Sequence, residues 1–359
     1  MNRDKDYIRR TFELAKNGAG FVSPNPLVGA VIVKQERIVG EGFHAKYGNA
    51  HAEADAINNR SENLKGATLY CNLEPCSHTN KQTPPCVPLI IKSGIKKVVI
   101  SNVDPNPNVN GAGIQQLRNA GIEVTTNILS AEGKEINKFY FTAVEKQRPY
   151  ITLKLALSAD GFINRAEGNR TKITSIDSDK YVHQLRSEFD SILVGANTVK
   201  VDNPQLNVRL VSGRNPIRII LDSKLSSPVD SKIFNDENSK NTIVICSSNA
   251  DKFKLKLLSE KGIKIQNVEM NSTGKFDLPE LLTYLFHQKI RSILVEGGAF
   301  VFDRFFENSL FDEILLFRSN QYFDAGLKPS KISDTRKLPL HQMTRLGADI
   351  LEVYRNPSL

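Results

Sequence analysis

The sequence predicts an α/β protein of two domains, and three observations support this prediction. The chain has 359 residues, which is long for a single hydrophobic core. Short apolar runs alternate with segments of helical spacing through both halves of the chain. A charged stretch at 145–148 precedes Pro149, and the residue before a proline is disfavoured in a helix. We therefore expect one domain at 1–147 and a second at 148–359.

The first half opens with a helix at 4–16, because apolar residues recur there at helical spacing. A hairpin is predicted at 28–42, where two short apolar runs flank a polar turn. The remaining elements alternate as a layered α/β domain requires. They are a helix at 52–59, a strand at 67–73, a helix at 88–93, a strand at 97–101, a helix at 114–120, a strand at 122–125 and a helical stretch at 130–148.

The second half begins with an apolar strand at 150–157. Later strands are predicted from short apolar runs at 191–194, 217–221, 242–246, 263–268, 292–296 and 313–317. Helices are predicted between them at 178–187, 278–288 and 300–308. The polar segment 235–241 is predicted to be a surface loop. This order of elements indicates a second α/β domain.

Composition and charge exclude some classes of protein. The apolar fraction of 40% and the charged fraction of 24% are those of an ordinary globular protein. No apolar run is long enough for a membrane helix, and the N-terminus is charged from its third residue, unlike a secretory signal. We therefore expect a cytoplasmic protein with no membrane partner. The net charge of +9 suits nucleic acid or phosphate-bearing small molecules, but the scattered Lys and Arg residues favour a solvated surface.

Three of the four cysteines, Cys71, Cys76 and Cys86, lie close together in the sequence. Thiols stay reduced in the cytoplasm, so this clustering favours a metal site over a disulfide framework. The fourth cysteine, Cys246, lies in an apolar run and is expected to be a packed core thiol.

A candidate zinc site is formed by His51, Cys76 and Cys86. Zinc prefers nitrogen and thiolate ligands, and a catalytic site keeps one position open for water. Glu53 lies two residues from His51, so it can reach that water without binding the metal and carry its proton to a leaving amine. His-x-Glu followed by Pro-Cys is typical of zinc deaminases, although a longer loop separates the two cysteines here. The sequence therefore predicts hydrolytic deamination of a nitrogen heterocycle.

Other interpretations of these residues stay open. His78 or Cys71 could supply a fourth ligand, which would close the zinc site and leave Glu53 without a purpose. Such a site would belong to a noncatalytic, zinc-stabilised binding module. His44 and His78 could also contact substrate, or be ordinary surface or core histidines.

Longer motifs extend through both halves of the chain. In the first half they are Ser23-Pro-Asn-Pro-Leu-Val-Gly29, His51-Ala-Glu53, Leu73-Glu-Pro-Cys-Ser-His78, Thr83-Pro-Pro-Cys86, Asp104-Pro-Asn-Pro107 and Asn110-Gly-Ala-Gly113. In the second they are Lys154-Leu-Ala-Leu-Ser-Ala-Asp-Gly161, Ile173-Thr-Ser175, Val201-Asp-Asn-Pro204, Pro216-Ile-Arg-Ile-Ile-Leu-Asp222 and Val295-Glu-Gly-Gly298. In these motifs the chain resembles the bifunctional riboflavin-biosynthesis deaminase–reductases of bacteria over nearly its whole length.

The resemblance implies two folds and two successive reactions. The first domain would have a three-layer, cytidine-deaminase-like fold and, with Zn²⁺, would deaminate 2,5-diamino-6-ribosylamino-4(3H)-pyrimidinone 5′-phosphate. The second would have a dihydrofolate-reductase-like α/β fold. It would use NADPH to reduce the ribosyl group, giving 5-amino-6-ribitylamino-uracil 5′-phosphate. The resemblance also suggests a homo-oligomer, a dimer or larger, that has no nucleic-acid partner.

The resemblance further implies roles for single residues. His51, Cys76 and Cys86 would bind zinc, Glu53 would move the proton, and Asn25 would hold the pyrimidine edge. The positions that match cofactor contacts are Ala156, Lys172, Thr198, Asp202, Gly297, Gly298 and Ala299. The positions that match substrate contacts are Arg186, Leu206, Arg209 and Glu296. Lys172 departs from the family, which commonly has tryptophan there, and a lysine could instead pair with a cofactor phosphate.

Elementary chemistry supports two of these assignments, the glycine pair for the cofactor and the two arginines for the substrate. Glycines lack a Cβ, so Gly297 and Gly298 would let a pyrophosphate approach backbone N–H groups at a helix start. Arg186 and Arg209 suit a substrate phosphate, because a guanidinium group can donate two parallel hydrogen bonds.

A nucleic-acid-editing zinc deaminase is the alternative function. Such enzymes take a base into a zinc pocket, and the basic charge of the chain would then serve the nucleic acid. This alternative explains the zinc motif but gives the second α/β domain no role.

Overall fold

The computed structural model describes residues 2–79, 83–165 and 171–357. The chain divides into two compact units, Met1–Gln147 and Arg148–Leu359, and each contains its own main sheet. Within the described parts of the chain, no helix has both the length and the apolar character that crossing a membrane requires.

The first unit is built on a five-stranded sheet. Its strands are β1 (Gly29–Lys34), β2 (Arg37–Phe43), β3 (Thr68–Leu73), β4 (Lys97–Asn102) and β5 (Glu123–Thr125). Its helices are α1 (Asn2–Lys16), α2 (Ala52–Asn58), α3 (Cys86–Lys92), α4 (Ala112–Asn119), α5 (Ser130–Ile136) and α6 (Lys138–Lys146). The strand order is β2-β1-β3-β4-β5. β1 pairs antiparallel with β2 and β3, while β3, β4 and β5 run parallel.

Helices cover both faces of this sheet. On one face α3 and α4 contribute Ile90 and Leu117 to a core that also includes residues of α2. On the opposite face Ile8 and Phe12 of α1 pack with Val31 of β1. Alternate strand residues thus face opposite helical layers, which confirms the three-layer fold predicted for this half.

The second unit is built on a nine-stranded sheet and a small two-stranded sheet. Its strands are β6 (Tyr150–Leu157), β7 (Asn164–Arg165), β8 (Ser191–Gly195), β9 (Ile217–Leu221), β10 (Thr242–Cys246), β11 (Lys264–Asn267), β12 (Ser292–Val295), β13 (Glu313–Arg318), β14 (Gly326–Leu327), β15 (Leu340–Leu346) and β16 (Asp349–Arg355). Its helices are α7 (Ile176–Glu188), α8 (Ala196–Asp202), α9 (Lys232–Asn235), α10 (Lys252–Glu260), α11 (Leu278–His287) and α12 (Ala299–Glu307).

The strand order of the large sheet determines which candidate site residues share a face of the sheet. It is β11-β10-β9-β8-β12-β6-β13-β16-β15, and the seven strands from β11 to β13 run parallel. Helices α11 and α12 bury one face, where Leu153 and Leu155 of β6 lie. Val182 of α7 packs on the other face against Phe317 of β13. Because strand side chains alternate, Lys154 and Ala156 of β6 project to the α7 side.

The predicted α/β class is confirmed, but several elements differ from the prediction. The expected helical stretch at 130–148 is two helices with Asn137 between them. The segment 235–241, expected to be a loop, contains the end of α9 and a 3₁₀ turn at Ser239–Asn241. Helices α8 and α10 and the hairpin of β15 and β16 were not predicted. Most side chains of β15 are exposed, so this edge strand lacks an alternating apolar pattern.

Candidate active sites

The three predicted zinc ligands converge in the first unit. His51 caps the start of α2, Cys76 follows β3, and Cys86 is the first residue of α3. The Nδ1 atom of His51 lies 3.4 Å from the Cys76 Sγ and 3.5 Å from the Cys86 Sγ. One ligand atom from each residue lies within 4.8 Å of the other two. One imidazole nitrogen and two sulfurs at these separations fit the ligand preference of zinc.

A fourth protein ligand is not found among residues 2–79, 83–165 and 171–357. Cys71 is fully buried, and its Sγ lies 3.9 Å from the Val99 carbonyl oxygen. Burial raises the pKa of the Cys71 thiol well above its ordinary value, which keeps it protonated. His78 lies outside the ligand group. Three protein ligands are the number that catalytic zinc sites use, whereas closed structural sites use four.

Glu53 is buried beside the ligands. Its side chain is in the first turn of α2, and its Oε2 atom lies 3.5 Å from the Cys86 Sγ. Burial, followed by the neighbouring Cys76, raises the pKa of the Glu53 carboxyl. A raised pKa favours the protonated carboxyl, which is the form that can give a proton to a leaving group.

Other side chains orient His51 and extend the site. Thr83 places its Oγ1 atom 3.0 Å from the His51 Nε2, as in many metal sites where the second ring nitrogen has a hydrogen-bond partner. The His44 ring packs edge-on against His51 with 5.3 Å between centroids. The His44 Nε2 lies 3.2 Å from the Asn25 Nδ2. Asn25, His44 and Thr83 therefore lie around His51, and Thr83 was missed by the sequence interpretation.

The loop that carries Asn25 is fastened by two buried asparagines. Asn137 accepts a hydrogen bond from the Leu27 N–H at 2.7 Å, and the Asn72 side chain donates to the Leu27 carbonyl at 2.8 Å. Asn137 lies between α5 and α6, so the residue that interrupts the predicted helical stretch is also the one that binds Leu27.

The turn before Cys76 is fastened in a similar way. The buried Glu74 carboxylate accepts hydrogen bonds from the backbone N–H groups of Gly111 at 2.9 Å and Gly113 at 3.0 Å. A Cβ on Gly113 would lie 2.3 Å from the Pro75 carbonyl oxygen, so only glycine allows this close approach. Glu74 was also missed, although a carboxylate at the buried end of β3 was a signal for it.

In the second unit, Arg186 and Glu296 form a buried ion pair. The Arg186 Nε donates to Glu296 Oε1 at 2.7 Å, and its Nη2 donates to Oε2 at 2.9 Å. The Lys154 Nζ lies 3.8 Å from the same carboxylate. Burial alone would raise the pKa of Glu296, but Arg186, followed by Lys154, lowers it to about 2. Burial lowers the pKa of Lys154. Two cations and one carboxylate thus share a secluded site.

One face of α7 forms a wall of this site. Asp179, His183 and Arg186 recur at i, i+4 and i+7, which places them on the same side of a helix. Lys172, predicted to contact cofactor, is exposed and lies 3.3 Å from the Asp179 carboxylate. Lys154, Asp179 and His183 had no predicted roles. A lysine within the apolar strand β6 and the polar spacing on α7 were the signals for them.

Five of the seven predicted cofactor residues belong to the two segments that follow the adjacent parallel strands β8 and β12, namely Thr198, Asp202, Gly297, Gly298 and Ala299. Strand β8 leads through Gly195 into α8, and β12 leads through Glu296 and Gly297 to Gly298 at the start of α12. A Cβ on Gly195 would lie 3.0 Å from Val301 of α12. A Cβ built on Gly298 would lie 3.8 Å from the Thr198 Oγ1 of α8. Two helix starts with little side-chain bulk therefore lie side by side, which suits a pyrophosphate.

The remaining predicted residues occupy the ends of elements or a loop. Ala156 lies on β6, Asp202 ends α8, and Ala299 begins α12. Leu206 is buried with a φ of 51°, in the left-handed region. Arg209 is exposed, and its Nη1 donates to the Asn207 Oδ1 at 2.8 Å. The loop of Leu206 and Arg209 contacts α7 at the ion pair, because Arg186 donates to the Asn207 carbonyl at 3.3 Å.

These folds and sites define a class of enzyme with a zinc deaminase domain and a reductase domain. Residues 1–102 match the cytidine and deoxycytidylate deaminase zinc-binding region, and residues 149–320 match the RibD C-terminal domain. The chain is 39% identical over 358 residues to the riboflavin biosynthesis protein RibD of Aquifex aeolicus, with 98% of both chains covered. It is 42% identical to the RibD of Bacillus amyloliquefaciens, covering 96% of this chain and 94% of the relative.

Solved structures give the same result. A diaminohydroxyphosphoribosylaminopyrimidine deaminase/5-amino-6-(5-phosphoribosylamino)uracil reductase from Thermotoga maritima is 39% identical, with a TM-score of 0.88 and 99% of both chains covered. A RibD structure from Acinetobacter baumannii is 32% identical, with a TM-score of 0.87 and 99% of both chains covered. The chain belongs to the RibD family of bifunctional deaminase–reductases of riboflavin biosynthesis. Its cofactors are zinc for the deaminase and NADPH for the reductase.

Membership in this family assigns an activity to both domains. It confirms the predicted combination of a hydrolase and an oxidoreductase. It also gives the second α/β domain the role that a nucleic-acid-editing deaminase would have left unexplained.

Proposed function

We propose that the first unit deaminates 2,5-diamino-6-ribosylamino-4(3H)-pyrimidinone 5′-phosphate, with His51, Cys76 and Cys86 as zinc ligands. The proposal is carried by the convergence of these three side chains within 4.8 Å, with the buried Glu53 next to them. Its substrate is supported by the activity named for the Thermotoga maritima protein. Zinc in such a site supplies a hydroxide nucleophile near neutral pH.

In this proposal Glu53 carries the proton. Water adds its oxygen to the ring carbon that bears the amine, and the carbon–nitrogen bond breaks to release ammonia. Glu53 accepts the proton that the water loses and delivers it to the departing nitrogen, so the carboxylate is regenerated. Asn25, held near His51 through His44, donates or accepts hydrogen bonds at the pyrimidine edge.

We propose that the second unit reduces the ribosyl group of the deaminated product. NADPH supplies the hydride. The glycine-bearing helix starts at Gly297-Gly298-Ala299, together with Thr198 and Asp202, hold the cofactor. Ala156 and Lys172 complete its proposed contacts. Arg186, Leu206, Arg209 and Glu296 bind the substrate, and the charged cluster around Glu296 supports this assignment.

Three further proposals concern the whole chain. We propose that the two activities divide between Gln147 and Arg148, supported by the division of the chain at that point. We also propose a homo-oligomer, which the resemblance to the family suggests, and a cytoplasmic location, supported by membership in a family of metabolic enzymes. Size-exclusion chromatography with light scattering measures the first of these two, and cell fractionation the second.

The cysteines provide a test of the zinc ligands. Replacing Cys76 with alanine is expected to remove most of the bound zinc, because two ligands hold the metal more weakly than three. Replacing Cys71 with alanine is the matched control. This neighbouring thiol is buried but lies outside the ligand group, so zinc is expected to stay bound. Zinc is quantified in both purified proteins, and equal loss from both would contradict the assignment.

A coupled assay tests the order of the two reactions. NADPH oxidation is expected when the deaminated ribosylaminouracil phosphate is supplied to the intact protein. It is also expected with the diaminopyrimidine substrate, but only after ammonia release begins. Removal of zinc by a chelator should abolish NADPH oxidation with the diaminopyrimidine substrate. It should leave NADPH oxidation with the deaminated ribosylaminouracil phosphate unchanged. Oxidation that starts before any ammonia appears would show that reduction does not require prior deamination.

A further inference from the structure

The segment 205–209, named here the substrate loop, is held by side chains from other elements. Its backbone is fixed at four places. Gln205 accepts from Arg218 at 2.9 Å, Asn207 accepts from Arg186 at 3.3 Å, Val208 donates to Asn215 at 2.7 Å, and Arg209 donates to His183 at 3.1 Å. Leu206, between the first two contacts, has a φ of 51°. A non-glycine residue in that region is retained only where its surroundings impose the conformation.

His183 is the contact that reaches Arg209. It lies on the inner face of α7 one turn before Arg186, and it is 3% exposed. Its Nδ1 atom accepts the Arg209 backbone N–H, which requires an unprotonated Nδ1. Burial, followed by the charges of Arg186 and Arg209, lowers the pKa of His183 to about 4. The imidazole is therefore neutral near pH 7 and able to accept this bond.

We propose that His183 is a positioning residue for the reductase substrate, which fixes the backbone of Arg209 so that the substrate loop is formed before the substrate binds. This inference rests on the proposed function, in which Leu206 and Arg209 contact the substrate. His183 touches neither the substrate nor the cofactor in this role. It acts through Arg209, because a backbone fixed in advance lowers the entropy lost when the loop binds its ligand.

The test replaces His183 in the full chain. His183→Phe keeps a buried ring without an acceptor and is expected to raise the KM for the ribosylaminouracil phosphate about tenfold, the effect of losing one hydrogen bond. The KM for NADPH and the rate of ammonia release should stay within about twofold, because neither depends on this loop in the proposal. His183→Asn, whose Oδ1 can replace the Nδ1 acceptor, is expected to restore the KM to within about threefold of the original.

Three comparisons separate positioning from general stability. Val182→Ala removes a buried neighbour on α7 and should lower the melting temperature without raising the substrate KM. Asn215→Ala releases the adjacent Val208 N–H and should raise the same KM. An Arg209→Ala background keeps the backbone N–H that donates to His183 but lacks the side chain that His183 is proposed to position. His183→Phe should therefore have little additional effect there on the substrate KM.

Each outcome has a defined meaning. Independent, multiplying effects of His183→Phe and Arg209→Ala would overturn the proposal, as would an equal rise in KM for Val182→Ala. An unchanged KM in His183→Phe would also overturn it. If the unmodified protein does not oxidise NADPH with this substrate, the proposed function itself fails, which this control shows before any variant is compared.

Discussion

Replacement of Glu53 by glutamine is expected to slow ammonia release by about 10²- to 10⁴-fold, the range of a general acid–base group. Glutamine has nearly the same size and can occupy the buried position next to Cys86, but it cannot accept and return a proton. The zinc ligands are unchanged, so zinc should stay bound. The measurement is ammonia release, with zinc quantified in the same sample.

Two controls isolate this effect. Asp55→Asn changes another carboxylate on α2, whose contact with the Phe43 N–H an asparagine oxygen can retain, and it should preserve ammonia release. The Glu53→Gln protein should still oxidise NADPH when the deaminated substrate is supplied. If ammonia release survives in Glu53→Gln while zinc is bound, Glu53 does not carry the proton.

Replacement of Arg186 by methionine is expected to have the largest effect on the second unit. It leaves the buried Glu296 carboxylate without its two hydrogen bonds, and breaking such a pair costs about 3–5 kcal/mol in the free energy of unfolding. Loss of the charged hydrogen bonds should also reduce kcat/KM for the reductase by about 10- to 100-fold. Denaturant unfolding and NADPH oxidation measure the two effects.

The matched control for this change is Lys256→Met on α10. The Lys256 side chain is 77% exposed and lies 3.9 Å from Glu260 in an exposed pair. Loss of such a pair should change the free energy of unfolding by no more than about 0.5 kcal/mol. Equal losses in Arg186→Met and Lys256→Met would show that burial does not strengthen the dependence on Arg186.

The pH dependence of the free energy of unfolding shows whether ionised Glu296 stabilises or destabilises the fold. The pKa of Glu296 is lowered from 4.5 to about 2 in the folded chain, so ionised Glu296 stabilises the fold above the higher value. That contribution is lost as the pH falls from 4.5 towards 2, because the carboxylate becomes protonated. The stability difference between the unmodified protein and Arg186→Met should therefore decrease over this interval. Unfolding curves at pH 6 and at progressively lower pH provide the measurement, and a difference that grows on acidification would contradict the assigned sign.

Much of the fold followed from local patterns. The periodicity of apolar residues predicted α1, the hairpin of β1 and β2, and β6 close to their observed limits. It failed for β15, because most side chains of this strand are exposed and show no alternation. It also missed β16, although the buried residues of that strand partly alternate. The same periodicity predicted α5 and α6 as one helix. The break between them lies at Asn137, whose side chain makes two hydrogen bonds to Leu27, a residue distant in the sequence, and local periodicity cannot show such contacts.

The sequence by itself determined the chemistry of the candidate zinc site and the α/β class. Residue type fixes which atoms can bind zinc, and His51, Glu53, Cys76 and Cys86 already form a recognisable order along the chain. Only the tertiary structure decided that Thr83 and His44 border His51, that Lys154 and Arg186 meet at Glu296, and that His183 holds Arg209. Such contacts join residues from different elements, and their distances depend on how strands and helices pack rather than on any spacing that can be counted along the sequence.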